Sequence, residues 1–189
     1  MDNKLKIINY LGKHKEQSFT MLELSKAIKI PYATFYRTIQ EMEDILILQT
    51  VGKAKTVTLN INNAVLKSYL VISSEEEKKE FLEKHPILKK IVAELDTTDI
   101  VILFGSYAKG TERITSDIDL LIINKKGEKS ISFSKYEFLF KKKINPIFVT
   151  KKEFVQMLRE KEENVGKQAV ENHIILNDAE HFWEGVFYG

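Results

Sequence analysis

The chain has 189 residues, 43% of them apolar, enough for one large domain or two small ones with real cores and too apolar for disorder. With 29 Lys/Arg against 27 Asp/Glu the net charge is +2, so there is no overall basic field, and a nucleic-acid partner would need a local patch. The chain has no cysteine, which excludes disulfides, thiolate metal sites and a Cys nucleophile, and neither a leader-like apolar core nor a bilayer-length apolar run is present. The expectation is a cytoplasmic protein without a membrane partner.

In chain order, Leu5, Ile8 and Leu11 repeat at helical spacing. In SFTMLELSKAIKI, Thr20 and Glu23 fit a capping box that starts a helix near Met21, with Leu22, Leu24 and Ile28 as its apolar side. Pro31 suits the first position of a third helix, PYATFYRTIQEMED. Phe35, Ile39 and Met42 fall on one of its faces, and Tyr32, Ala33, Tyr36, Arg37 and Gln40 on the other. ILILQTVGKAKTVTLNI then reads as a hairpin turning around Gly52–Lys53–Ala54–Lys55.

Three helices followed by a hairpin resemble a winged helix-turn-helix domain, over roughly residues 3 to 61. Residues 1–60 carry nine Lys/Arg against six Asp/Glu, a mild +3. The resemblance implies double-stranded DNA as partner. Tyr32, Tyr36, Arg37 and Gln40 would face base edges, with Lys53 and Lys55 of the wing on phosphates. It also suggests a homodimer on paired half-sites.

Residues 63–85 read as a helical linker, with Ser73 or Ser74 capping SEEEKKEFLEK. His85–Pro86 interrupts it, and PILKKIVAEL begins again with Ile87, Ile91 and Leu95 on one face. From residue 86 to 189 helices and strands alternate. DIVILFG, SDIDLLIIN and INPIFVT read as strands, SKYEFLFKKK as a helix, and TKKEFVQMLREK as a helix with a Thr150–Glu153 capping box. ENVGKQAVENH reads as a further helix, IILN as a short extended piece, and the aromatic end DAEHFWEGVFYG packs back on the body. His14, His85, His173 and His181 are scattered without metal-ligand spacing, and Trp183, Phe182 and Phe187 read as core or as a dimer contact rather than a base-stacking platform.

The chemistry concentrates in LFGSYAKGTERITSDIDLL. Residues i and i+2 of a strand share a face, so Asp117 and Asp119 point one way while Ile118 and Leu120 point into a core. Two carboxylates that close repel each other, and a divalent cation removes the conflict. Mg²⁺ is often held by one or two carboxylates plus substrate phosphates. Gly105–Ser106 follows the strand VILF where a helix should begin, so backbone N–H groups and the serine hydroxyl can meet a phosphate.

Together Gly105, Ser106, Ala108, Gly110, Ser116, Asp117, Asp119 and Leu120 resemble the nucleotidyltransferase signature of the DNA polymerase beta superfamily, in particular its minimal members. The fold class implied is α+β, an N-terminal winged helix-turn-helix (1–62) before a polymerase-beta-like domain with a small mixed sheet and a C-terminal helical tail (86–189). The resemblance implies Mg²⁺ (or Mn²⁺) on the catalytic pair Asp117 and Asp119, with ATP or another NTP as substrate or ligand. Nucleotide contacts would come from Gly105, Ser106, Lys109, Arg113 and Ser116, and a nucleoside monophosphate would pass to a hydroxyl acceptor. Members of this superfamily usually carry a third carboxylate on a later strand. Here KKKINPIFVT has no acid, and Asn145 stands near that place, a neutral candidate ligand. Three readings follow: an active transferase, a regulator of transcription that binds nucleotide without turnover, and an interaction protein paired with a HEPN-type partner in a toxin–antitoxin system.

Overall fold

A computed structural model describes residues 1–52 and 54–189, and the chain divides into two units, Met1–Glu76 and Glu77–Gly189. Both are mixed α+β with small sheets. Lys53, expected at the hairpin tip, lies outside the described residues.

The first unit runs α1 (Asn3–Lys13), β1 (Phe19–Thr20), α2 (Met21–Ala27), α3 (Tyr32–Gln40), β2 (Leu46–Val51) and β3 (Ala54–Leu59). Each helix has a local reason to start. The Asp2 carboxylate accepts from Leu5 N–H (2.8 Å), and Thr20 and Glu23 form the reciprocal capping box before α2. Pro31 lies one place earlier than expected: it is the N-cap of α3, and its carbonyl accepts from Phe35 N–H (2.9 Å). Ile7, Ile8, Leu11, Leu24, Phe35 and Ile39 are all at most 2% exposed and make the core where the three helices meet the hairpin. Burying Phe35 alone contributes about 1.5–3 kcal/mol.

One expectation needs correction here. Leu22 is not part of the apolar side of α2; it is 52% exposed, and Met21 takes the core position. The cap at Thr20 fixes the helix phase, which brings 21, 24 and 28 inward rather than 22. β1, two residues paired with β3 (Phe19↔Val57), is too short to leave an alternation in the sequence.

α4 (Leu66–Lys84) begins a full two turns before the expected cap. Ser73 and Ser74 are therefore interior residues, both buried, each donating its hydroxyl back to the Leu70 carbonyl at 2.9 Å. Leu66 and Leu70, one turn apart and both buried, extend the helix backward, and the back-bonds satisfy the two hydroxyls that would otherwise favour a cap.

The second unit continues with α5 (Pro86–Ala93), β4 (Ile100–Phe104), α6 (Gly105–Lys109), β5 (Ile118–Asn124), α7 (Ser134–Phe140), β6 (Ile144–Thr150), α8 (Lys151–Arg159), α9 (Val165–Glu171), β7 (Ile174–Asn177) and α10 (Ala179–Tyr188). The sheet order is β6-β5-β4-β7, with β5 parallel to β6 and antiparallel to β4, and β4 antiparallel to β7. Strand alternation splits β5 between two cores. Ile118, Leu120 and Ile122 pack with Leu88 and Ile91 of α5, Tyr107 of α6 and Tyr136 of α7. Leu121 and Ile123 face the opposite side, where α8, α9 and α10 contact the sheet and Phe154, Phe182 and Trp183 are buried. A sheet covered on both faces explains why β4 reads as an unbroken apolar run, all five residues buried. Among the described residues no helix is long and apolar enough to cross a membrane.

Candidate active site

Asp119 lies on the same face of β5 as Leu121 and Ile123, at the end of the strand. In register it stands opposite Phe104 of β4 and Asn145 of β6. Phe104 is the last residue of β4 and the N-cap of α6, so the chain turns from strand to helix directly beside the Asp119 carboxylate. That turn requires glycine for two reasons. Gly105 has φ +70°, the left-handed region that L side chains rarely adopt, and a Cβ there would lie 2.3 Å from Asp119 Oδ2. The two halves of the sequence motif are thus in van der Waals contact.

Asp117 precedes β5, with its side chain 39% exposed. Asn145 binds it to Asp119: the amide Nδ2 donates to Asp117 Oδ2 and to Asp119 Oδ1, each at 3.2 Å. Both partners are carboxylate oxygens, which only accept, so the amide must turn its NH₂ toward them. Lys143 Nζ stands 3.4 Å from Asp117 Oδ2 on an exposed arm. The like charges that raised the question in the sequence are met by a neutral donor from β6 and a cation from the preceding loop.

The remaining expected residues divide. Ser106 is the second residue of α6, and its carbonyl accepts from Thr111 N–H (3.0 Å), closing the helix through Gly110 at φ +66°. Ser116 builds the loop: its Oγ accepts from Arg113 N–H at 2.8 Å, and its own N–H donates to Arg113 O at 2.9 Å. Lys109 and Arg113 are exposed.

Sequence reasoning missed two neighbours. Lys142, in the KKK run before β6, donates through Nζ to the carbonyls of Ile114 and of Ser116, the latter at 3.1 Å. His85 joins Glu112 (Nε2 to Oε1, 3.2 Å), donates from Nδ1 to Phe81 O (2.8 Å) and stacks on Phe81 at 3.9 Å. The Glu112 carboxyl is held below its usual range, first by its own backbone N–H, then by His85, with a smaller contribution from the charge of Lys142. No periodicity or spacing connects 85 with 112, or 142 with 114; only the fold does.

Among the described residues no group of three or more His, Cys, Asp or Glu side chains converges to hold a metal. The donor set at Asp117, Asp119 and Asn145 is two carboxylates and one amide. It fits a hard cation whose other ligands are waters and substrate phosphates, the manner in which Mg²⁺ is usually bound.

In the first unit, the residues expected to face DNA form one outward surface of α3. Tyr32, Tyr36 and Gln40 repeat every four residues and are exposed, the two tyrosine rings 6.4 Å apart. Arg37 is exposed beside them, its Nε donating to Ala33 O at 3.3 Å. Lys55 is exposed on β3.

The small mixed sheet, the strand-to-helix turn at Gly105 and the carboxylates set against it all lie within one matched segment. The family model described as the nucleotidyltransferase domain matches residues 85–176, from His85 to Leu176 in β7. That match supports NTP transfer as the general activity of this domain, and such domains generally use an NTP with a divalent metal. No curated protein and no solved structure matches the chain.

Proposed function

We propose that this chain is a DNA-binding nucleotidyltransferase that moves a nucleoside monophosphate from ATP or another NTP to a hydroxyl acceptor, with Mg²⁺ or Mn²⁺ on Asp117 and Asp119. The observation that carries the reading is the contact between Gly105 and Asp119, because it puts a backbone open to phosphate against a carboxylate suited to the metal. A divalent cation bound there would neutralise charge and polarise the phosphoryl oxygens.

The chain's own residues then have defined tasks. Gly105 and Ser106 lend backbone N–H groups and a hydroxyl to a phosphate. Lys109 and Arg113, exposed on the same α6–β5 segment, offer positive charge to the remaining phosphates. Lys143, on an exposed arm 3.4 Å from Asp117, would have to give up that contact for Asp117 to hold a cation, and Asn145 would have to present Oδ1 rather than NH₂ to join it. The first unit is read as a winged helix-turn-helix, supported by the helix order, by the Tyr32–Tyr36–Gln40 stripe with Arg37, and by Lys55 on the hairpin.

A second reading, nucleotide holding without turnover, is favoured by one specific observation: Asn145 is the β6 residue that reaches the acidic pair, and an amide is not a base at neutral pH. One assay separates the two. With α-labelled ATP and Mg²⁺, label incorporation and pyrophosphate release that are lost in Asp119→Asn support the transferase. Mg²⁺-dependent ATP retention without pyrophosphate supports the holding site. No Mg²⁺-dependent ATP binding at all sinks both.

A further inference from the structure

Three consecutive lysines lie between α7 and β6, and each does something different. Lys141 adopts φ +51° and places its ammonium 4.3 Å from the Phe138 ring centroid. Lys143 reaches outward to Asp117. Lys142 is half-buried and turns inward. Its Nζ donates to the backbone carbonyls of Ile114 and Ser116 and stands 5.6 Å from the ring centroid of Tyr107, which is buried on α6.

We infer that Lys142 is a positioning residue of the nucleotide site, fixing the loop that delivers Asp117 to the cation; this rests on the nucleotide reading above. The loop from Thr111 to Asp117 is tied at its start by Thr111 to Ser106 and by Glu112 to His85, and at its end by Asp117 to Asn145 and Lys143; the stretch between them, from Arg113 to Ser116, has fewer holds. Ile114 at its apex is 94% exposed, so no apolar anchor is available. Internally it has the Arg113–Ser116 exchange, and at its end Ile118 N–H donates to Lys143 O (2.9 Å). The Ser116 carbonyl belongs to the same planar peptide unit as the Asp117 N–H, so an ammonium that fixes that oxygen fixes the plane from which the Asp117 side chain departs. One cation therefore ties together α6 through Tyr107, the loop through two carbonyls, and the start of β6 through its own backbone. Carbonyls bonded to a charged donor are held more tightly than by a neutral one.

The absence of cysteine makes a clean test possible. Lys142→Cys introduces a unique thiol. Treatment with 2-bromoethylamine forms a C–S bond with loss of bromide and restores an ammonium at nearly the original length. The probe is mant-ATP with Mn²⁺, read by fluorescence, alongside hydrogen exchange in peptides spanning 111–117. The expected result is about tenfold weaker mant-ATP binding in Lys142→Cys and exchange at least tenfold faster in that loop. Aminoethylation should restore both, and iodoacetamide, which adds a neutral amide, neither. Wild-type affinity in Lys142→Cys, or equal rescue by iodoacetamide, overturns the inference. If the wild type itself binds no Mn²⁺–mant-ATP, the nucleotide reading falls and the inference with it, while the exchange data still report whether the lysine holds the loop. Should Lys142→Cys not fold, Lys142→Arg against Lys142→Met, read by the same exchange and binding, decides between charge and packing.

Discussion

Replacing Gly105 with alanine should separate stability from function at one atom. Holding an L residue at φ +70° costs about 1–2 kcal/mol. The new methyl would sit 2.3 Å from Asp119 Oδ2, and its next nearest neighbours, at 3.2 and 3.3 Å, are Cγ and Cβ of the same side chain. The clash is therefore relieved by rotating one carboxylate away, without moving backbone. Thermal melting should fall by only about 4–8 °C, whereas Mn²⁺-dependent ATP binding, measured by calorimetry, should drop by more than tenfold because the metal ligand is displaced. Gly110→Ala supplies the internal comparison: φ is +66°, yet nothing lies within 4 Å of its Cβ position. It should lose similar stability and keep far more of its binding. If Gly105→Ala binds within twofold of wild type, or Gly110→Ala loses as much, the contact between Gly105 and Asp119 is not what shapes the site.

Asn145→Asp would put a third carboxylate where amide hydrogens now meet both acids. In EDTA it should lower stability by about 1–2 kcal/mol, allowing for partial exposure, and thermal-shift measurements should show a larger Mn²⁺-induced rise than in wild type. Arg37→Ala should weaken duplex binding by about 1–3 kcal/mol, read by fluorescence anisotropy at fixed salt; unchanged affinity would remove α3 from the DNA surface. Glu94 has a pKa lowered to about 2, first by Lys135, then by Lys90 and Tyr136. A depressed carboxylate gives stability that is complete above its unfolded pKa and is lost as pH falls through the folded one. The melting-temperature difference between wild type and Glu94→Gln should therefore be full at pH 6 and shrink between about pH 4.5 and 2.

The elements legible in the sequence were those whose signal is local. Both threonine capping boxes, at Thr20 and Thr150, form with the expected glutamates, since three residues contain all the information a capping box needs. The strand pair around Asp119 was legible because glycine, serine and two aspartates at that spacing combine into a specific motif. What stayed hidden was non-local. Ser73 and Ser74 look like caps until Leu66 and Leu70 find a core to bury into. Lys142 looks solvated until the fold brings the loop at Ile114 and Ser116 to it, 26 and more residues away in sequence. Asn145 was noticed for what it lacked. Its two hydrogen bonds to the acids are a property of the β5–β6 register, which no single strand encodes.

β6 is an outer strand of its sheet, and Pro146 follows directly after Asn145. A proline supplies no N–H, so it is tolerated in a sheet where that group would have pointed away from the neighbouring strand. The open edge next to the acidic pair consequently has a gap in its row of donors. A foreign β-strand cannot zip along it there, which guards this rim against edge-to-edge aggregation. For the transferase proposed above, the same gap disfavours strand addition beside Asn145, so a protein acceptor would have to present a loop, a terminus or a projecting hydroxyl instead.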